Sequence, residues 1–355
     1  MAADLERALQ SVSDGVREIV LDSPFARALA PDHLRDATLL YPASGGKHLR
    51  SALLLWSCGA LGGDPQAALP AAAAVELYHT WTLAHDDIID RDDLRRGGPS
   101  LHAAFRERAA ELDAADPAHY GLSVAILAGD VQHAWAIELL AGLADRGPDP
   151  ALVLRLVRDL EGPVLRAIAE GETRDLQFAH QPVEAVSEDD ILAMIACKTG
   201  ALFAFAAAAG GAVARGALDE DPQVAALRDF GRLAAIAFQL RDDVLGITGA
   251  EEQLGKPIGS DIREGKRTTI LRRAWIHASP DEREVLSRAL GRHDADPAAA
   301  AAATEVLLRL GGVEHTEALA RDHLHRALQR LDALPAGRHR DLLHALAAAM
   351  MDRSR

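Results

Sequence analysis

The chain has 355 residues, 49% of them hydrophobic and 26% charged, which supplies a large core and argues against wholesale disorder. Its formal net charge of −15 argues against nucleic acid as a partner, because phosphate-backbone binding needs a basic surface, yet it leaves room for a locally basic pocket. The two cysteines, Cys58 and Cys197, lie far apart in apolar, helical context and read as buried thiols rather than a disulfide framework.

The N-terminal stretch "MAADLERALQ" is acidic and lacks the apolar centre of a secretory signal. No uninterrupted apolar run reaches the roughly 18 residues of a membrane span, so no transmembrane segment is expected and a cytoplasmic location is. From there the sequence reads as helix nearly throughout, rich in alanine and leucine and poor in β-branched runs. Breakers punctuate it at "YPASGGK" (41–47), "GGDP" (62–65), "RGPDP" (146–150), "HQPVEAVSEDD" (180–190), "DEDPQ" (219–223), "GAEEQLGKPIGSD" (249–261), "SPDE" (279–282) and "HDADP" (293–297). None is long enough to mark a domain boundary, so a single all-helical domain over 1–355 is expected. "SEDD" (187–190) predicts a cap and acidic first turn for a helix that reaches Lys198.

Taken in chain order, the residues that carry chemistry begin with "SGGKHLR" (44–50), a glycine turn followed by Lys47, His48 and Arg50. Glycines let backbone approach an anion closely. Next comes "LAHDDIIDRDDLRRGGPS" (83–100), with five aspartates and three arginines behind an apolar lead-in. On a helix Asp86 and Asp90 share a face, and like charges at that spacing repel. A hard cation with oxygen ligands would relieve the repulsion. Neutralisation by Arg91, Arg95 and Arg96 on a wet surface would relieve it equally well. A second acidic pair, Asp242 and Asp243, interrupts the apolar helix of "FQLRDDVLG" (238–246). Two such pairs could share magnesium, which binds through a few carboxylates plus substrate phosphates. Further cations stand at Lys198, beside Thr199, and at Lys256 and Lys266 in "GKPIGSDIREGKRT" (255–268). Guanidinium suits bidentate phosphate contacts and ammonium serves as a point charge, although a lone Lys or Arg is more often merely solvated.

Together these segments resemble the trans-isoprenyl diphosphate synthases, the polyprenyl synthetases. The resemblance runs from about residue 40 to about 275 through "GGKHLR", "ELYHTWTLAHDDIIDRDDLRRGGPSLH", "LAGD" (127–130), "GETRDL" (171–176), "KTGALF" (198–203), "FQLRDD" and "GKPIGSDIREGKRT". It implies an all-α fold, a single large bundle of mostly antiparallel helices around a deep central cavity, and a homodimer. It implies magnesium-dependent condensation of isopentenyl diphosphate with an allylic diphosphate. Carried over, Lys47, Arg50, His79 and Arg96 would hold isopentenyl diphosphate. Arg95, Lys198, Thr199, Gln239, Lys256 and Lys266 would hold the allylic diphosphate. Asp86, Asp90 and Asp242 would ligate magnesium, supported by Asp87 and Asp243. The growing tail would run along the helix before Asp86, with Trp81 and Tyr78 as its floor. That, together with the small Thr82, implies farnesyl or geranylgeranyl diphosphate as product, leaning to the latter.

Three positions depart from the family pattern. Gly246 stands where the second acidic motif usually ends in aspartate, with Asp261 as a candidate substitute. His48 stands where arginine is usual, and Glu172 where glutamine is common. Two other readings share some of these features. A class I terpene cyclase should carry a late Asn/Asp–Ser–Glu metal motif, which is not found. A non-catalytic subunit of a heteromeric prenyltransferase usually loses the first acidic motif, which is complete here.

Overall fold

A computed structural model describes residues 2–249, 260–292 and 295–352. The described residues are almost entirely helical, and their only strands are the two-residue pair β1 (Leu94–Arg95) and β2 (Gly98–Pro99). The helices that carry the residues singled out above are α1 (Asp32–Ala43), α2 (Leu49–Ala60), α3 (Leu69–Ile89), α4 (Pro117–Ala141), α5 (Leu165–Ala179), α6 (Glu188–Ile195), α7 (Ala201–Arg215) and α8 (Pro222–Thr248).

Several of the expected breakers act as helix starts. In "RGPDP" the Asp149 side chain accepts from the Ala151 amide at 3.0 Å and Pro150 opens the helix. "HDADP" works the same way through Asp296 and Pro297. Proline suits that position because its missing N–H would have had no helical partner. Ser187 and Asp190 form a reciprocal capping box at the start of α6, as "SEDD" predicts. The helix there does not stay regular up to Lys198. It widens into a π-helical turn at Ala196–Gly200, one of two such turns, the other being Leu160–Val164. Single π turns often mark functional positions.

The chain divides into two compact units, each drawn from separated stretches of sequence. The first comprises Met1–Leu160, Phe205–Arg228 and Ala333–Leu346. It packs Tyr41, Ala84, Leu101, Phe105, Val124, Ala125 and Ala128 into one cluster. Small residues let its helices approach closely. Ala71 to Ala74 on α3 are fully buried, and a Cβ added at Gly210 of α7 would lie 1.9 Å from the Leu54 carbonyl oxygen of α2. The second comprises Glu161–Ala204, Asp229–Asp332 and Ala347–Arg355. One of its clusters joins Val186, Ile191, Met194 and Ile195 to Ile236 and Leu240 of α8.

Both cysteines are free thiols, Cys58 buried and Cys197 half-buried. Burial, helped by Asp64, pushes the Cys58 thiol up to about 11. Two stretches, Pro117–Arg146 and Glu188–Arg215, are long and apolar enough to cross a membrane by length and composition. Counting only uninterrupted apolar runs misses them, because a hydropathy window tolerates a charge or two. Their apolar windows are 44% and 61% buried within the protein, and core helices pass the same test.

Candidate functional site

In the first unit the acidic motif falls at the end of a helix. Asp86 and Asp87 occupy the last turn of α3, Asp90 caps it, and that turn contains no basic residue. A helix C-terminus carries partial negative charge, so these carboxylates stand where further negative charge is least welcome and a cation most.

Asp87 is fully buried. It accepts hydrogen bonds from the Tyr41 hydroxyl and from Arg95, whose Nε lies at 2.8 Å and whose Nη2 also donates. The Tyr41 oxygen in turn accepts from the Leu101 amide at 2.8 Å. Burial, reinforced by Asp87, raises the Tyr41 pKa, so the phenol stays protonated and donates. Burial works against the charge on Arg95, but the hydrogen bonds and charge of Asp87 outweigh it and raise its pKa.

The chain leaves α3 through Arg91 at φ 59° and doubles back as the β1–β2 hairpin. The two turn residues, Arg96 and Gly97, both have positive φ, as a tight two-residue hairpin requires. The Arg96 backbone pays strain for that conformation, and its side chain is tied down. Nη1 donates to the Gly45 carbonyl and lies 3.5 Å from Ser44 Oγ, while a Cβ on Gly46 would sit 3.1 Å from Nη2. The hairpin thus returns Arg96 onto the glycine turn of "SGGKHLR", which carries exposed Lys47 and half-buried Arg50.

Beneath this turn lies Glu76, a buried carboxylate on α3 that sequence reading passed over. Ser51 Oγ is 3.2 Å from its Oε2, and Nδ1 of buried His48 is 3.5 Å from its Oε1. Burial opposes its charge, but His48, His79 and Arg50 outweigh that and hold the carboxyl at about 2. His79, one turn further along α3, is kept neutral. Burial and the Arg50 charge push its pKa well below the usual histidine range, with Arg96 and Arg95 adding to them and Glu76 opposing. Arg50, His79 and Arg96 are therefore electrostatic neighbours over one buried acid, with Lys47 next to them in sequence on the glycine turn. An isolated glutamate inside "AAAAVELYHT" was the available signal for Glu76. Tyr41 left none.

Trp81 and Tyr78 pack on α4. Tyr78 is fully buried, Trp81 half-buried, and both rings contact His133 of α4, at 5.3 and 4.6 Å between centroids. Gly129 leaves room for this packing, since a Cβ there would lie 3.2 Å from the Trp81 ring.

In the second unit Lys198 and Thr199 sit on the π-helical turn Ala196–Gly200. Lys198 Nζ lies 2.7 Å from Glu172 Oε2 and 2.8 Å from Asp175 Oδ2, both on α5. Thr199 Oγ1 contacts Gln239 Oε1 at 3.1 Å, and Gln239 Nε2 donates to Asp243 Oδ1 at 3.0 Å, a relay that connects Thr199 to the second acidic pair on α8. Lys266 Nζ pairs with Glu264 at 2.8 Å and, with Asp243, lines a small hollow closed by Ile247, Ile262 and Leu271. Gly246 is half-buried two residues before the end of α8. Lys256 lies outside the described residues, and so does the Asp261 side chain.

Among the described residues no three His, Cys, Asp or Glu side chains gather into a ready-made metal cluster. The acids come instead as pairs. Paired carboxylates fit magnesium, which keeps much of its water and binds through one or two carboxylates together with substrate phosphates.

Residues 31–307 match the family model described as "Polyprenyl synthetase". The chain is 36% identical to a short chain isoprenyl diphosphate synthase of Methanothermobacter thermautotrophicus, over 98% of this chain and 97% of that protein. It is 36% identical to a geranylgeranyl diphosphate synthase of Methanosarcina mazei, over 91% and 90% of the two. Its structure is similar to that of a geranylgeranyl pyrophosphate synthase from Corynebacterium glutamicum complexed with isoprenyl diphosphate and magnesium, with a TM-score of 0.83, 31% identity and coverage of 98% and 99%.

Proposed function

The chain belongs to the polyprenyl synthetase family, and from that premise we propose that it is a trans-prenyltransferase that condenses isopentenyl diphosphate head-to-tail with an allylic diphosphate. Its product is a short-chain all-trans prenyl diphosphate, geranylgeranyl or farnesyl. The observation that carries this reading is the return of Arg96 onto the Gly45–Gly46 turn, which brings its guanidinium to the segment that bears Lys47 and Arg50, with Arg50 and Arg96 both close enough to act on His79, within an acidic protein.

In this reading Lys47, Arg50, His79 and Arg96 take the diphosphate of isopentenyl diphosphate. Lys198, Thr199, Gln239, Lys256 and Lys266, with Arg95, take that of the allylic substrate. Asp86, Asp90 and Asp242 are the ligands for magnesium, which when bound neutralises charge developing on the departing diphosphate. The corresponding supports are Asp87, which holds Arg95, and Asp243, which holds Gln239. The allylic C1–O bond breaks and diphosphate leaves onto the basic side chains of its own set. The isopentenyl double bond then attacks C1 through its C4, positioned by its own cation set. A proton leaves C2 to the released diphosphate, and the chain is five carbons longer. Water near the carbocation would divert it to alcohol, so the aromatic and aliphatic lining before Asp86 matters to the outcome.

The match to the family model over residues 31–307 agrees with one catalytic domain over 1–355. A homodimer belongs to the same reading. A cytoplasmic location agrees with water-soluble diphosphate substrates.

The test is direct. Purified protein is incubated with labelled isopentenyl diphosphate and dimethylallyl, geranyl or farnesyl diphosphate, with magnesium or with EDTA, and the products are sized. Magnesium-dependent C15 or C20 products support the proposal. Cyclised hydrocarbons, or no product with any primer, overturn it.

A further inference from the structure

Lys198 is held unusually firmly for a phosphate-binding lysine. Glu172 and Asp175 stand one turn apart on α5, and both reach its ammonium, at 2.7 and 2.8 Å. Their side chains are only 14% and 13% exposed, and that of Lys198 is 22% exposed, so water screens the trio poorly. Gly171 locks the arrangement. A Cβ there would lie 2.4 Å from the Lys198 amide nitrogen, so α5 lies directly against the π-helical turn and the two carboxylates cannot slide off the lysine. The trio carries two negative charges against one positive. Asp175 alone would suffice to orient the lysine, and Glu172 adds a charge that an incoming diphosphate must meet.

We propose that Glu172 sets the affinity for allylic diphosphates, keeping their binding weak enough for product to leave. This rests on the prenyltransferase reading above. Its logic is chemical. The condensation product is itself an allylic diphosphate, but its head group is the one that came with isopentenyl diphosphate, so it must move onto Lys198 before it can serve as primer again. Any residue that loosens head groups at Lys198 raises the primer KM and disfavours that move, leaving product to depart. After each addition the product partitions between release and a further round of elongation. Glu172 therefore also biases the products toward shorter chains, acting through Lys198 as a positioning residue at the head-group end, remote in role from any floor beneath the tail.

Glu172→Gln keeps the shape and removes the charge. The KM for the allylic diphosphate is expected to fall about threefold to tenfold, the scale of one partly screened charge a few ångströms from an anion. Product inhibition by inorganic diphosphate should tighten in parallel, the KM for isopentenyl diphosphate should stay put, and the C20-or-longer share of product should rise. A merely structural glutamate would instead change thermal stability and leave the ratio of the two KM values alone. An unchanged or raised allylic KM in folded Glu172→Gln overturns the proposal. Glu172→Ala, which removes the same charge, is the second variant should Glu172→Gln fail to fold, and Asp175→Asn, which leaves Glu172 on the lysine, should lower the allylic KM less. A wild-type protein that condenses nothing would refute the prenyltransferase reading. A wild type that condenses, with variants that match it in every constant, refutes the role of Glu172 alone.

Discussion

The two acidic motifs look alike as letters but are built differently. The first ends a helix, where the backbone dipole adds negative charge, and its second aspartate is buried under a guanidinium and a phenol. The second interrupts the body of α8, and its second aspartate accepts from a neutral amide, Gln239, which itself meets Thr199. In both pairs the second aspartate is braced by residues expected to contact an allylic diphosphate. The aspartates of a pair are therefore not equivalent. Asp87 and Asp243 hold Arg95 and Gln239, the side chains proposed to meet phosphate, while Asp86 and Asp242 are proposed as metal ligands. The first motif is braced by charge and the second by dipoles, which is a difference in how costly each is to disturb.

Stability separates the two most sharply. Asp87→Asn takes from partly buried Arg95 the carboxylate it bonds most closely, leaving Asp92 at 3.7 Å, and should cost about 3 kcal/mol, read as a lowered denaturation midpoint. Asp243→Asn replaces a carboxylate acceptor of the Gln239 amide by an amide oxygen, strands no buried cation, and should cost about 1 kcal/mol or less. Equal losses would erase the distinction between the motifs. Asp86→Ala should leave folding intact, since it removes one of several like charges at a helix C-terminus. Its turnover should drop by roughly 100-fold or more, because electrostatic stabilisation of a transition state is a large contribution. Near-normal turnover would remove Asp86 from the metal site.

The buried acid beside Arg50 and His79 gives a smaller effect with a defined pH window. Glu76 is held at about 2 against an ordinary value of 4.5, so its contribution to stability is present above pH 4.5 and is lost as pH falls toward 2. Glu76→Gln should flatten the pH dependence of stability across that window relative to wild type. An unchanged slope would mean that these neighbours do not depend on its carboxylate. The smallest effect expected is on product length. Trp81→Ala opens space beside His133 and Gly129 and should lengthen the product by one or two C5 units without abolishing activity. An identical product spectrum in a folded variant would exclude Trp81 from the tail floor.

Helicity, the capped helix start at Ser187 and the breaks at 146–150 and 293–297 were legible in the sequence, as were the candidate charged residues. Each depends on local rules: caps, prolines, alanine-rich periodicity and charge placed against an apolar background. What holds those residues in place was not legible. Nothing near Tyr41 in the sequence announces that its hydroxyl meets Asp87 46 residues later. Nor does spacing reveal that Arg96 bonds back to Gly45, or that Lys198 is shared between Glu172 and Asp175. A π-helical turn at Ala196–Gly200 interrupts the regular helix expected up to Lys198, and Gly171 of α5 lies directly against it, a contact no local rule announces. The sequence by itself determined which chemical groups this protein owns and which helices carry them, since those follow from neighbours along the chain. Only the tertiary structure decided which acid neutralises which cation and at what pKa, because burial and charge pairing depend on distances between segments that the chain brings together only when it folds.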